Sequence, residues 1–306
     1  MVTRLLKATA SELQNMNSRE LLESIYKSEG RTVMTEVITP LLPVLNDVTN
    51  AELAASMGSD FILLNMLDVQ KPFISGLPEC EPNDCVFMLK KLTGRPIGIN
   101  LEPAVNPNEG NPASIPWSNG RAATAENARK AVEMGVDLIL ITGNPGKHVT
   151  NSGILNAIRE IRNEVGENII LAAGKMHSSG TKEGGHEILS IKDVEEFIAA
   201  GVDIVLLPAP GTVPGVTLKW ASERIKKIHE LNKLALTSIG TSQEGSDLQT
   251  IRNIALMCKQ AGTDIHHIGD TGGTLGVADP ENIMAYSIAI RGKQHTWYRM
   301  AQSIRR

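Results

Sequence analysis

The feature that most constrains the fold is a junction that recurs four times, in which a helical stretch ends in Gly and, two residues later, an Asp opens an apolar run. It appears as Met57-Gly58-Ser59-Asp60-Phe61, Met134-Gly135-Val136-Asp137-Leu138, Ala200-Gly201-Val202-Asp203-Ile204 and Ala261-Gly262-Thr263-Asp264-Ile265. Glycine suits the left-handed residue that terminates a helix, and so short a turn delivers the chain straight into a buried strand of the parallel type. The spacings of 77, 66 and 61 residues each hold two strand-helix units. Further strand-like runs at Leu41–Asn46, Pro96–Leu101, Ile169–Ala173 and Leu234–Ile239 bring the count to eight. Val33–Ile38 is left open as either a plug strand below the barrel or the true first strand.

Helix starts follow the strands: Thr49…Glu52, Ser190…Asp193 and Ser246…Gln249 have capping-box spacing, and Asp279-Pro280 sets an acid before a proline at the first helical position. Eight parallel strands with a helix after each, over about 250 residues, is the arithmetic of an α/β (β/α)8 TIM barrel. A doubly wound sheet is the alternative, but its Gly-rich first turn is absent. No linker divides the chain, so residues 1–306 read as one domain. Residues 1–32 form a helical N-terminal extension, 33–291 the barrel, and 292–306 a short, basic, helical C-terminal tail expected to pack on the barrel or on a neighbouring subunit.

Composition narrows the function. Lys and Arg number 30 against 34 Asp and Glu, and aromatics make up 3%, so both the basic excess and the stacking platforms that nucleic acids demand are missing. The longest apolar runs, such as Phe61–Leu64, are strand-length, which excludes a membrane span. With no apolar segment after the first cations, the chain is placed in the cytoplasm, where Cys80, Cys85 and Cys258 stay reduced.

In this fold the loops after the strands build the active site, and these are the long ones here: Leu67–Glu81, Pro103–Arg121, Gly174–Leu189, Pro208–Val216 and Gly240–Gly245. The four repeated Asp residues lie at the opposite end and read as structural. Pro103–Arg121 is either a lid or a fixed loop. Alternation along β-type Pro96–Glu102 sets Gly98, Asn100 and Glu102 on the barrel side, making Glu102 a candidate metal ligand or general base, and Asn100 a ligand beside it. Lys175 and His177 share parity after the fifth strand and would converge if it continued. Lys175 could bind an anion electrostatically or form a Schiff base, and His177 could act in catalysis. In the eighth strand only one of His266 and His267 can face inward, and register favours His267, as a binding residue or as a hydrogen-bonded core histidine. Asp270 follows as a site carboxylate that, with Glu102, would hold a divalent metal or move a proton. The loops after strands seven and eight, with Gly240, Thr241, Ser242 and Gly245 in one and Thr271, Gly272 and Gly273 in the other, offer N–H groups and hydroxyls to a phosphate; the alternative is tight turns. Gly143–His148 lacks the full P-loop pattern, so no nucleotide cofactor is expected.

The stretch Asn46-Asp47-Val48-Thr49-Asn50-Ala51-Glu52 through Asp60, followed by Phe61–Asn65, resembles the first unit of the phosphoenolpyruvate mutase/isocitrate lyase superfamily, and Pro96–Glu102 is similar in layout to its metal-binding strand. The resemblance spans roughly residues 40–142. It implies Mg2+ or Mn2+ and an enolate-forming substrate, with Asp47, Asn100 and Glu102 at the site. Asn100 stands where that family has its first Asp, Leu101-Glu102-Pro103 replaces the residues after it, and no Lys-Lys-Cys-Gly-His signature exists, so a mutase or isocitrate lyase activity as such is not expected. The expectation is a lyase or isomerase acting on a small phosphorylated or carboxylated anionic metabolite, in a homo-oligomer. The alternatives are a metal-free phosphosugar epimerase or Schiff-base aldolase centred on Lys175, and a non-catalytic barrel that binds a metabolite.

Overall fold

The computed structural model describes residues 1–103, 117–143, 149–177, 187–271 and 275–306. Eight parallel strands close a barrel in chain order: β1 Thr32–Ile38, β2 Phe61–Asn65, β3 Ile97–Leu101, β4 Leu138–Ile141, β5 Ile170–Gly174, β6 Ile204–Pro208, β7 Leu234–Ile239 and β8 Ile265–Ile268, with β8 pairing back to β1. Helices α1 Ala10–Asn15 and α2 Ser18–Tyr26 precede β1. Between successive strands run α3 Asn50–Ser56, α4 Cys85–Thr93, α5 Ala125–Glu133, α6 Asn151–Val165, α7 Ile191–Ala199, α8 Leu218–Glu230 and α9 Leu248–Ala261, and α10 Pro280–Ala301 follows β8. The capping boxes at Thr49 and Ser190 are formed. At α9 the cap is Asp247, whose carboxylate accepts from the N–H of Gln249 and Thr250, and not Ser246.

The repeated Asp residues share one structural job at the N-terminal end of the barrel. Each carboxylate accepts the N–H of a residue at the start of the preceding odd-numbered strand, whose carbonyl accepts the N–H of the same Asp. Asp60 does this to Val33, Asp137 to Ile97, Asp203 to Leu171 in β5 and Asp264 to Ala235. Each then meets a base from a helix or turn: Arg291 and Arg299 at Asp60, Lys90 at Asp137, Arg162 and Lys233 at Asp203, and His229 at Asp264. The carboxylate thus ties strand to strand and strand to helix, which is why this residue recurs at this place.

The first strand is β1, and the Leu41–Asn46 run is loop. Pro43 removes a ladder donor from that run, and Leu42, Val44 and Leu45 are exposed. Val33–Ile38 by contrast is buried throughout and hydrogen-bonded on both sides. Asp47 accordingly lies exposed in the loop after β1.

Side chains of alternate strand residues divide into two apolar clusters. Phe61, Leu63, Leu140, Ala172, Leu206 and Leu236 fill the barrel interior, and Leu5, Leu13, Leu21 and Ile25 of the N-terminal extension join them from below. The opposite strand faces pack against the helices. The C-terminal tail completes the lower closure on the same chain. Helix α10 breaks at Gly292, whose φ of +76° belongs to the left-handed region. Beyond it Arg299 donates to the carbonyls of Leu5 and Ala8 and Tyr298 to that of Lys7, so the tail packs on this barrel. Among the described residues no helix is long and apolar enough to cross a membrane.

Candidate active site

Toward the C-terminal ends of the strands the interior changes character. Inward positions that are Leu, Phe or Ala lower down become Glu36 on β1, Asn100 on β3, Ser238 on β7 and His267 on β8, all buried. Asn100 donates its amide to Glu36 Oε1 at 2.5 Å. The other carboxylate oxygen lies 3.3 Å from His267 Nε2, and His267 Nδ1 is 2.7 Å from the Ser238 hydroxyl. Asn100 thus holds one oxygen of the Glu36 carboxylate, and His267 lies beside the other. Its neighbour His266 points outward, between the Gly30 carbonyl (3.0 Å) and the Tyr286 hydroxyl (3.3 Å), and burial pushes its imidazole down to about 3.

Above this floor opens a cavity of roughly 200 Å³, of a size for a small metabolite. Its walls carry Glu36, Glu102, Glu244, Asp270, Arg121 and His177, with Asn65, Asn100, Thr142, Met176 and Gly240 among them. Asn65 at the end of β2 donates to Asp270 at 2.7 Å. Burial holds the Glu244 carboxyl above its ordinary value, with the charge of Glu36 adding to the effect, and Glu244 Oε2 has no hydrogen-bond partner among the described residues. Burial likewise lowers the His177 imidazole, so its neutral form is favoured. Met66, Ser242 and Thr271 around the rim take positive φ without being glycine, a conformation that costs energy and gathers at functional sites.

Arg121 reaches the cavity by a route that the strand pattern does not display. Glu102 and Ala122 form a bridge beyond the end of β3, in which the Glu102 N–H donates to the Arg121 carbonyl (2.8 Å) and the Ala123 N–H to the Glu102 carbonyl (3.0 Å). Arg121 Nη2 then pairs with Glu102 Oε1, and its guanidinium lies 5.2 Å over the Trp117 ring. Gly120 fits the turn because a Cβ there would stand 1.7 Å from Asp68 Oδ1.

Several sequence expectations meet at this cavity and others do not. Asn100, Glu102, His177, Asp270 and Gly240 line it. Lys175 is buried at 4% exposure but is not among the lining residues. β5 ends at Gly174, an inward position paired with Leu206, and strand alternation no longer holds beyond it: Met176 and His177 both line the cavity and Lys175 does not. His267 is enclosed beneath the cavity, hydrogen-bonded to Ser238 and beside Glu36, and is not among the residues that line the cavity. Thr241 and Ser242 border an adjoining hollow with His177 and Gly240. Gly245 closes a 3-10 turn, Thr271 donates to the Val277 carbonyl, and Gly272 and Gly273 lie outside the described residues, as do most of the Pro103–Arg121 segment and residues 178–186. Among the described residues no three His, Cys, Asp or Glu side chains gather to hold a metal ion. Glu102 pairs with Arg121 and the Asn100 amide nitrogen with Glu36, while Asn100 Oδ1 has no hydrogen-bond partner among the described residues. Reasoning from sequence did not single out Glu36, Glu244 or Arg121. A Glu at the centre of the buried run Val33–Ile38 was the available signal for the first.

The family model of a domain of unknown function, DUF7916, matches residues 6–306. The chain belongs to that family. No curated protein matches the DUF7916 chain in sequence. Among solved structures it is similar to an archaeal fructose-1,6-bisphosphate aldolase with its catalytic Lys bound to the carbinolamine intermediate, at 15% identity, over 90% of this chain and 100% of that one, with a TM-score of 0.57. A structure of the Schiff-base-forming fructose-1,6-bisphosphate aldolase gives 13% identity, 88% and 99% coverage and a TM-score of 0.54. The 2,3-dimethylmalate lyase of the phosphoenolpyruvate mutase/isocitrate lyase superfamily gives 14%, 83% and 80%, and 0.50. At such identities the likeness is one of fold. That superfamily thus stands beside the aldolases as one group of barrel neighbours.

Proposed function

We propose that the DUF7916 barrel is a lyase or isomerase that moves a proton on a small phosphorylated or carboxylated metabolite bound in the cavity above Glu36. The observation that carries this reading is the pairing of two carboxyl groups, Glu36 and Glu244, in one cavity. Glu36 is oriented by the Asn100 amide, while Glu244 is pushed toward its neutral, proton-donating form by burial. Two carboxyl groups in one cavity, one of them pushed toward its neutral form, give a site both a base and an acid. Glu36 takes the proton from carbon next to a carbonyl, and Glu244 delivers one to the oxygen or carbon that becomes electron-rich. The base role passes from Glu102 to Glu36 because Glu102 is engaged with Arg121. The fold neighbours, lyases and aldolases among them, are compatible with such chemistry and do not specify it.

The test is deuterium exchange. In D2O the wild-type protein, offered a panel of two- to five-carbon oxo and hydroxy acids and their phosphate esters, is expected to wash deuterium into at least one of them, read by proton NMR. Glu36→Gln, nearly isosteric, is expected to lose that exchange at least a hundredfold, the ordinary scale of general base catalysis. Exchange that survives in the variant overturns the assignment. Schiff-base chemistry at Lys175 is the second reading, favoured by the burial of that ammonium at the C-terminal end of β5. It expects borohydride in the presence of a carbonyl substrate to trap a covalent adduct on Lys175.

A further inference from the structure

We infer that Arg121 is the anchor for a substrate carboxylate, so that the natural substrate is a small carboxylic acid held by a two-pronged contact and not a phosphate ester held by the last two loops. This deepens the reading above and rests on it for the location of the substrate. Arg121 is 3% exposed, yet its Nε and Nη1 have no hydrogen-bond partner among the described residues, although the side chain lines the cavity. A buried guanidinium with unused N–H groups is a standing cost to the fold, and such groups are filled by a ligand where one binds. Glu102 occupies Nη2. Nη2 shares one donor edge with Nε and the other with Nη1, so whichever of its two protons Glu102 takes, one complete edge is left without a partner among the described residues. An open edge of two parallel N–H groups matches the two oxygens of a carboxylate.

The surroundings favour a planar monoanion over a phosphate. The guanidinium is paired with Glu102 and lies over the Trp117 ring, contacts that hold it in place. Glu36, Glu102, Glu244 and Asp270 line the same small cavity, and their presence opposes a dianion more strongly than a monoanion. A ligand carboxylate on the open edge would put its neighbouring carbon inside the cavity that Glu36 and Glu244 share.

Isothermal calorimetry on the full chain tests this with two- to five-carbon carboxylates, the amide of each as a neutral control, and inorganic phosphate. At least one carboxylate is expected to bind, its amide to bind at least tenfold more weakly, and Arg121→Lys, which keeps the charge but not the fork, to weaken the carboxylate at least tenfold. Should Arg121→Lys fail to fold, Glu102→Gln carries the test, because removing the counter-charge is expected to tighten carboxylate binding. Equal binding to wild type and Arg121→Lys, unchanged or weaker binding to Glu102→Gln, or binding of phosphate alone overturns the inference. A carboxylate that binds through Arg121 without deuterium exchange leaves this inference standing and sinks the proton-transfer reading. Exchange on a phosphorylated substrate that Arg121→Lys leaves intact does the reverse.

Discussion

Replacing the four junction aspartates one at a time by Asn should cost very different amounts, although the four motifs read alike. Asp60 is the extreme case. Its carboxylate is 1% exposed and lies 2.5 Å from Arg291 and 2.7 Å from Arg299, both fully buried. Arg95 is close by, and burial together with the charge of Arg299 already pushes its guanidinium down to about 9. Asp60→Asn keeps an oxygen for the Val33 N–H but leaves three guanidiniums without their counter-charge. Removing one partner of a buried ion pair costs about 3–5 kcal/mol, a large part of the about 5–15 kcal/mol that holds a domain folded. At Asp137 burial outweighs Lys90 and raises the carboxyl above its ordinary value, so the charge itself contributes little, and both partners are partly exposed. Asp137→Asn should therefore cost no more than about 1 kcal/mol. Asp203, with Arg162 and Lys233 at 2.6 and 3.2 Å, should fall between them. Urea unfolding at pH 7, followed by far-ultraviolet circular dichroism, gives the order. Equal losses at Asp60 and Asp137 would refute the reasoning.

Two further predictions concern the barrel wall and its acid response. Gly174→Ala would set a Cβ 2.1 Å from the Leu206 carbonyl oxygen, so it should lower stability by about 1–3 kcal/mol or more, whereas Gly245→Ala, whose nearest contact is 3.7 Å, should change it by less than about 1 kcal/mol; thermal unfolding of both compares them directly. His266, pushed by burial to about 3 from an ordinary 6.5, is neutral in the fold, so the unfolded chain binds its proton first. Its contribution is complete above about pH 6.5 and is lost as pH falls from there toward 3. His266→Gln, which keeps a donor for the Gly30 carbonyl, should flatten the fall in urea midpoint between pH 7 and pH 4.5, and an unchanged fall would assign the acid response elsewhere.

The barrel was legible because its period is written in residues that do structural work. Gly ends a helix, and the following Asp can satisfy a strand N–H only from the start of the neighbouring strand, so each repeat marks a place in the fold. β1 is harder to read because the chain turns through Glu29 and Gly30, both at positive φ, into a strand interrupted by Glu36. The Leu41–Asn46 run, a loop with three exposed aliphatics, is as rich in apolar residues and took its place, and the expectation at Asp47 moved with it. Asn100 and Glu102 were readable from alternation. Lys175 was not, since β5 ends at Gly174 and the parity that joins Lys175 to His177 applies only to a continuing strand. Arg121 lies beyond any periodicity, 19 residues from its Glu102 partner, and is brought there by a bridge that only the folded chain forms.

A crystal structure with a bound short carboxylate tests the central claim most directly. The ligand is expected in the cavity at the C-terminal ends of the strands, with its two oxygens on the open edge of Arg121 and its adjacent carbon within reach of Glu36. A carboxylate seated instead against Gly240, Thr241 and Ser242, with the Arg121 edge still unfilled, would contradict it.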